Sequence, residues 1–275
     1  DEKLEIIDPK SDKEKRRKKK YAELFWQKRQ RKGVTLFDAE KLMRERNYFA
    51  AMMLIEGDAD AFISGYARKY STVLKPLIEI IPKEEGVHKI SSTNVMLTKR
   101  GPMFFSDTAI TPNPTGQDIA LIAEMTGTVI KMFGLKPAIA MVSYSNFSST
   151  NNHTARKTKE ALDILEKTCP DLIIDGEIQA DFALNKTMLK EKFPFSKLVG
   201  KNVNALIFPN LDSANISYKL LKELNEVDSI GPVIMGLTKP AHVLQLGASV
   251  DEIINMTALA VVDAQNKEVK IKNGK

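Results

Sequence analysis

Cysteine is almost absent from this chain. Cys169 stands alone among 275 residues, which excludes an internal disulfide framework and a multi-cysteine zinc site and suits a reducing compartment. Histidine is nearly as scarce: His88, His153 and His242 are scattered, no HExxH pairing occurs, and we expect no metal site. No apolar run reaches the ~20 residues that a bilayer span requires, and the start lacks the charged, apolar and cleavage segments of a secretory signal. No membrane partner is expected, and the cytoplasm is the expected location. GxGxxG after a strand, GxxxxGK[ST] and GxSxG are missing as well, which removes the simplest dinucleotide, nucleotide-triphosphate and serine-hydrolase readings. Short repeats and low-complexity linkers are also lacking.

Charge is unevenly placed. The formal net charge is +6, from 41 Lys and Arg against 35 Asp and Glu. Much of the excess lies in Lys13, Lys15, Arg16, Arg17, Lys18, Lys19 and Lys20; without that run the remaining charges nearly cancel. We read it as the solvated face of a first helix rather than a nucleic-acid patch, because no nucleic-acid motif accompanies it. A patch for an acidic phosphorylated ligand is the alternative. At 43% hydrophobic, the chain has enough apolar residues for one large core or two modest ones.

Periodicity and breakers divide the chain into alternating elements. Residues Tyr21 to Asn47 predict two helices broken at Gly33, with Thr35 capping the second; Tyr48 to Ile55 continues apolar up to Gly57. Ala61 to Gly65 is the first clear strand, and a helix from Ser71 to Ile81 follows. Val95 to Thr108 predicts a hairpin through Lys-Arg-Gly-Pro, Thr111 to Asp118 a loop, and Ile119 to Phe133 a helix closed by Gly134. After Pro137 the alternation repeats: strand Ala138 to Val142, helix Thr154 to Thr168, strand Leu172 to Asp175, helix Ala183 to Lys192, strand Val203 to Phe208, helix Ile216 to Leu224, strand Val233 to Met235. The expected fold class is α/β, a mostly parallel sheet with helices on both faces, in two lobes with a cleft between them. The boundaries expected are 1–137 with 236–275 for a discontinuous first lobe, and 138–235 for the second.

Such sheets take ligands beyond the carboxyl ends of their strands. The loops there are Ser143 to Asn152, Asp175 to Phe182, Pro209 to Ser217 and Gly236 to Ser249, all rich in hydroxyls and amides. In the last, Ser249 followed by Glu252 predicts a capping box, so helix-terminal amides point toward Gln245 to Ala248 and suit an anion. Asp175, Glu177 and Asp181 are a candidate acid/base cluster, with helix capping and loop hydrogen bonds as the competing explanation.

Seven blocks in order, GDADAFISG, YSTVLKP, FFSDTAITPNPT, AMVSYSNFSST, PDLIIDGEIQADFAL, ALIFPNLDSANISYKLL and IGPVIMGLTKPAHVL, resemble the phosphate acetyltransferase (phosphotransacetylase) family over nearly the whole chain. The resemblance is closest to one branch, the C-terminal phosphotransacetylase-like domain of bacterial multidomain NADP-dependent malic enzymes, through NYFAAMMLIEGDADAFISG, SYSNFSS, GPVIMGLTKPAHVLQLGASV and NMTALAVVDAQ. It implies a two-lobed three-layer α/β/α fold of the isocitrate/isopropylmalate dehydrogenase type. Family members begin with a further strand and helix, to which nothing before Leu4 corresponds, so the first lobe is expected to lack them. The start at Asp1 rather than Met fits a piece of a longer protein.

Active members carry Ser-Arg-Gly-Cys and then an Asp base where this chain has Gln245, Leu246, Gly247, Ala248 and Glu252. These become vestigial positions. An Arg that holds developing anionic charge contributes about 3 kcal/mol or more to the transition state, and Leu offers no donor. A second family arginine corresponds to Lys75, which keeps charge but not the bidentate fork. The resemblance therefore implies a catalytically degenerate regulatory domain that binds acetyl-CoA as allosteric inhibitor, forms homo-oligomers through domain dimers, and partners a malic catalytic domain. That domain would hold the NADP and divalent metal; none is expected here. The binding residues expected are Lys75, Asn113, Thr115, Ser143, Ser145, Asn146, Phe147, Ser148, Asn210, Lys239 and Gln245. The alternative is an active phosphate acetyltransferase with Glu252 as base.

Overall fold

Two compact units share the chain in the computed structural model, which describes residues 4–150, 153–225 and 227–272. The first comprises Asp1–Pro82, Leu237–Ala248 and Thr257–Lys275; the second comprises Lys83–Gly236 and Ser249–Met256.

The first unit begins with α1 (Lys15–Arg29), α2 (Leu36–Leu42) and α3 (Arg46–Glu56). The expected break falls at Gly33, in the left-handed region at φ 84°, and Thr35 caps α2 in a full capping box with Asp38. Gly57 ends α3 with φ 81°. Tyr21, Phe25, Met43, Phe49 and Leu54 are fully buried, with Tyr21 against Phe49 at 5.2 Å between ring centroids. β1 (Phe62–Ser64) leads into α4 (Tyr70–Ile80), which adds Leu77 and Ile80 to the core.

Six strands build the sheet of the second unit: β2 (Ser91–Thr98), β3 (Gly101–Ser106), β4 (Ala138–Val142), β5 (Ile173–Ile178), β6 (Ala205–Ile207) and β7 (Ser229–Met235). Their order is β5-β4-β6-β3-β2-β7. Pairs β5-β4, β4-β6 and β6-β3 are parallel, and β2 runs antiparallel to both β3 and β7, so five of the six strands point one way. The helices are α5 (Gly116–Met132), α6 (His153–Thr168), α7 (Ala180–Leu184), α8 (Lys186–Lys192) and α9 (Leu211–Asn225). Two apolar clusters pack them: Phe104, Ile119, Ile130, Ile139 and Leu165 in one, Phe105, Ile178, Leu189, Leu206 and Tyr218 in the other. Separate apolar clusters with helices on both faces are the expected signature of a parallel-type sheet.

β8 (Ala241–Val243) returns to the first unit and pairs in parallel with β1, Ile63 opposite His242. α10 (Val250–Lys272) starts in the second unit and finishes in the first.

Three expectations are corrected. The first boundary lies at Pro82 rather than 137, because the β2-β3 hairpin pairs with β6 and β7 and belongs to their sheet. The segment from Asp175 is not a loop: β5 runs on to Ile178, its pairing with β4 carried past a register shift at Met141/Val142. The single helix expected over 183–192 is two, since Asn185 leaves helical geometry and its side chain accepts the Met188 N–H to start α8.

Gly65 explains how tightly β1 and the end of β8 meet. Its φ is 129°, and a Cβ there would sit 2.3 Å from the Leu244 carbonyl oxygen. Gly65→Ala is expected to lower stability by about 1–3 kcal/mol, read as a reduced urea midpoint with unchanged m-value.

Candidate functional site

Strands β3, β4, β5 and β6 deliver their carboxyl ends to one edge of the second unit's sheet. Most of the candidate residues sit there.

After β3, Asp107 is 3% exposed and its carboxylate accepts five hydrogen bonds. Ser92 donates both its N–H (3.2 Å) and Oγ–H (2.6 Å) to Oδ1, Ala109 and Ile110 donate their N–H groups to the same oxygen at 3.1 and 3.2 Å, and the Thr111 N–H reaches Oδ2 at 2.8 Å. This fixes the start of the loop that carries Asn113. Asn113 is exposed and makes no hydrogen bond among the described residues. Thr115 serves a structural purpose: it is the N-cap of α5, in a capping box with Asp118, and the helix starts two residues before the loop was expected to end.

After β4, the loop is tied to Glu177 of β5. Glu177 is 2% exposed; its Oε1 accepts the Ser145 hydroxyl at 2.6 Å and the Ser148 N–H at 3.2 Å, and its carbonyl accepts the Phe147 N–H at 2.7 Å. Ser143 Oγ lies 3.4 Å from Ser145 Oγ, and Asn146 Oδ1 accepts the Gln179 N–H at 2.8 Å. Phe147 and Ser148 have φ of 45° and 62°, the only non-glycine residues at positive φ among the described residues. Asp175 instead holds the 196–197 turn through the Ser196 hydroxyl and the Lys197 N–H, and Asp181 is exposed on α7. The acid/base cluster expected from Asp175, Glu177 and Asp181 is thus not assembled: the two strand carboxylates serve different loops.

After β6, Asn210 accepts the Ser213 N–H at 2.9 Å and caps α9. Lys157 of α6 joins two of these loops, donating to the carbonyls of Pro114 and Pro209 at 3.0 Å each. Burial holds its ammonium below the ordinary lysine pKa. Sequence reasoning missed Lys157, whose partners lie 43 and 52 residues away and leave no local signal. Asp107 was legible in principle, since an Asp just past a strand favours bonding the amides that follow it.

The remaining candidates belong to the first unit. Lys75 is exposed on α4 and Lys239 half-buried before β8, neither with a hydrogen bond or ion pair among the described residues. Gln245 is half-buried and Leu246 is 72% exposed. The amides expected to face an anion are partly occupied, with Gly247 N–H donating to the Tyr66 carbonyl (3.1 Å) and Ala248 N–H to that of Gln245 (3.2 Å).

Glu252, in the second unit, closes the expected capping box. Its Oε2 accepts the Ser249 N–H at 2.8 Å, and the Ser249 hydroxyl accepts the Glu252 N–H at 3.1 Å. Oε1 pairs with the Lys222 ammonium of α9 at 2.7 Å. Burial raises this carboxyl's pKa, but Lys222 and Ser249 outweigh it and hold the group below the ordinary glutamate value. Both oxygens are occupied and the basicity is reduced, which opposes a role as general base.

A family profile for phosphate acetyl/butaryl transferase matches residues 1–261. A phosphate acetyltransferase of Clostridium acetobutylicum is 37% identical over 270 residues, covering 96% of this chain and 80% of the relative. An NADP-dependent malic enzyme of Salmonella typhimurium is 38% identical over 264 residues, 95% of this chain but 34% of that enzyme, so the chain spans about a third of the malic enzymes it matches. Among solved structures, EutD phosphotransacetylase of Staphylococcus aureus superposes with a TM-score of 0.84 at 31% identity, over 96% of this chain and 79% of its own.

The Lys222–Glu252 pair has a pH signature. With the folded pKa depressed, its stabilisation is complete above the ordinary glutamate value of 4.5 and is lost as pH falls through the folded value. Both side chains are partly exposed, so Glu252→Gln is expected to cost no more than about 1 kcal/mol near neutral pH. That gap should narrow in urea titrations as pH falls through the folded value and close below it, where the wild-type carboxyl is itself protonated.

Proposed function

The chain belongs to the phosphate acetyl/butaryl transferase family, and from that premise we propose that it is a catalytically degenerate member that binds acetyl-CoA as a regulatory ligand. The observation that carries the reading is the segment from Gln245 to Glu252. Leu246, at the place the resemblance gives to an arginine, offers an aliphatic side chain 72% exposed, and the carboxylate of Glu252 is locked by Lys222 and Ser249. A developing negative charge finds no guanidinium at the first position and no free base at the second. Hydroxyls and amides at the strand exits of the second unit, Ser143, Ser145, Asn146, Ser148, Asn113 and Asn210, suit the carbonyl, amide and phosphate groups of a CoA ester.

In this reading the chain is the regulatory part of a cytoplasmic NADP-dependent malic enzyme. A separate catalytic domain there oxidises and decarboxylates malate to pyruvate and holds the NADP and divalent metal; this domain holds no resident cofactor. Acetyl-CoA inhibits by preferring one arrangement of the whole over another, since a ligand shifts an equilibrium only by its differential affinity.

Homodimers form through an apolar surface of the second unit. On α9, Ile216, Leu220 and Leu224 are 57%, 53% and 77% exposed at spacings of four, a single ridge along the helix. Val250 and Ile254 extend it onto the first turns of α10, which the Lys222–Glu252 pair joins to α9. A surface of this kind suits a self-complementary two-fold contact.

Two measurements test these readings. Calorimetric titration is expected to show saturable acetyl-CoA binding, while acetyl-CoA formation from acetyl phosphate and CoA stays at least roughly a hundredfold below an active family member. Absence of binding to the folded chain overturns the ligand assignment, and ordinary turnover makes the chain an active phosphate acetyltransferase. For the dimer, Leu220→Glu is expected to give monomers in sedimentation velocity with an unchanged far-ultraviolet circular dichroism spectrum. An unchanged mass excludes the α9 surface.

A further inference from the structure

Four phenylalanines gather beside the exit of β4, in the second unit. Phe147 lies 5.0 Å from Phe193 and 4.9 Å from Phe195 between ring centroids, Phe182 packs on Phe193 at 5.1 Å, and the cluster joins the core around Ile178 and Leu189. Core packing accounts for Phe182 and Phe193. It does not account for Phe195, which is 68% exposed while its segment is firmly held: the next residue, Ser196, donates its hydroxyl to Asp175 at 2.8 Å, and Lys197 donates its N–H to the same carboxylate at 2.9 Å. Nor does it account for Tyr144, 66% exposed on the neighbouring loop.

The loop conformation points the same way. Holding a phenylalanine at φ 45° followed by a serine at φ 62° costs conformational energy, and the buried Glu177 supplies the three hydrogen bonds that hold it. That conformation places the Phe147 ring against Phe195.

We propose that Phe195, backed by Phe147 and Phe193, is a stacking platform for the adenine ring of the CoA ester. This deepens the reading above and rests on it. An exposed, rigidly backed aromatic face recognises planar π-systems at small entropic cost, whereas an acyl or pantetheine chain gains as much from any aliphatic surface. Charge agrees with a phosphorylated nucleoside: Lys190 and Lys192, in the last turn of α8 immediately before Phe193, carry no ion pair among the described residues. The platform is a specificity element for the nucleotide half of the ligand and takes no part in acyl chemistry.

The test separates the two halves of the ligand. Phe195→Ala is expected to weaken acetyl-CoA binding by about tenfold or more while leaving acetyl-pantetheine binding unchanged. Phe195→Trp is expected to keep acetyl-CoA affinity within about twofold and to gain an indole emission that adenosine 3′,5′-bisphosphate quenches. Phe195 is exposed, so neither change threatens folding. Equal affinity of wild type and Phe195→Ala for acetyl-CoA, equal loss for both ligands, or an unquenched indole overturns the platform and leaves the ligand assignment standing. Failure of the wild type to bind acetyl-CoA overturns both.

Discussion

A buried carboxylate at a strand exit, accepting hydrogen bonds from the neighbouring loop, is the interaction on which the candidate site at the second unit's sheet edge depends. Asp107 and Glu177 both meet that description, at 3% and 2% exposure. Each takes a charge out of water, a cost that the hydrogen bonds it accepts offset. The donors are the amides and hydroxyls of the loops that follow β3 and β4. Those loops are thus held by hydrogen bonds to buried carboxylates, with Phe147 adding apolar packing, and they place polar groups at one sheet edge. Lys157 adds the complementary element, a cation whose hydrogen bonds to Pro114 and Pro209 join the exits of β3 and β6.

The sequence showed the helices, strands and hairpin well because their signals are local. Gly33, Thr35, Gly57 and Gly134 mark ends through backbone chemistry alone, and β4 falls at Ala138–Val142 as its apolar run requires. It failed where tertiary pairing overrode composition. Gly176 and Glu177 read as a loop after the strand, yet they form part of β5, because Gly176, at φ 148°, lets the strand approach the Met141 carbonyl where any Cβ would sit 2.6 Å from the oxygen. The unit boundary moved for a similar reason: the β2-β3 hairpin is continuous in sequence with residues before it, and only its pairing with β6 and β7 assigns it to the larger sheet.

For the candidate site, the sequence marked the loops at the strand exits, and the structure shows the structural bonds that their side chains make. Thr115 and Asn210 have their side-chain oxygens engaged in capping, and the Ser145 hydroxyl donates to Glu177. Side-chain hydrogen bonds of this range are invisible to spacing, since Glu177 is 32 residues from Ser145. Glu252 illustrates the opposite case. Its capping box with Ser249 was legible at a separation of three residues, while the Lys222 ion pair that lowers its basicity spans 30.

The Glu252 environment bears on how chemistry and recognition separate in a scaffold of this kind. A carboxylate serving as base must keep an oxygen open toward the proton it takes, so each structural hydrogen bond it accepts lowers both its availability and its pKa. Glu252 has gone in the structural direction, since it caps the start of α10 and joins it to α9. Recognition places no such demand on it. Hydroxyls and amides that already hold the loops keep unused donor or acceptor capacity: an Asn whose carbonyl caps a helix still offers two N–H donors. The same groups can therefore be structural and ligand-facing at once, whereas a general base cannot.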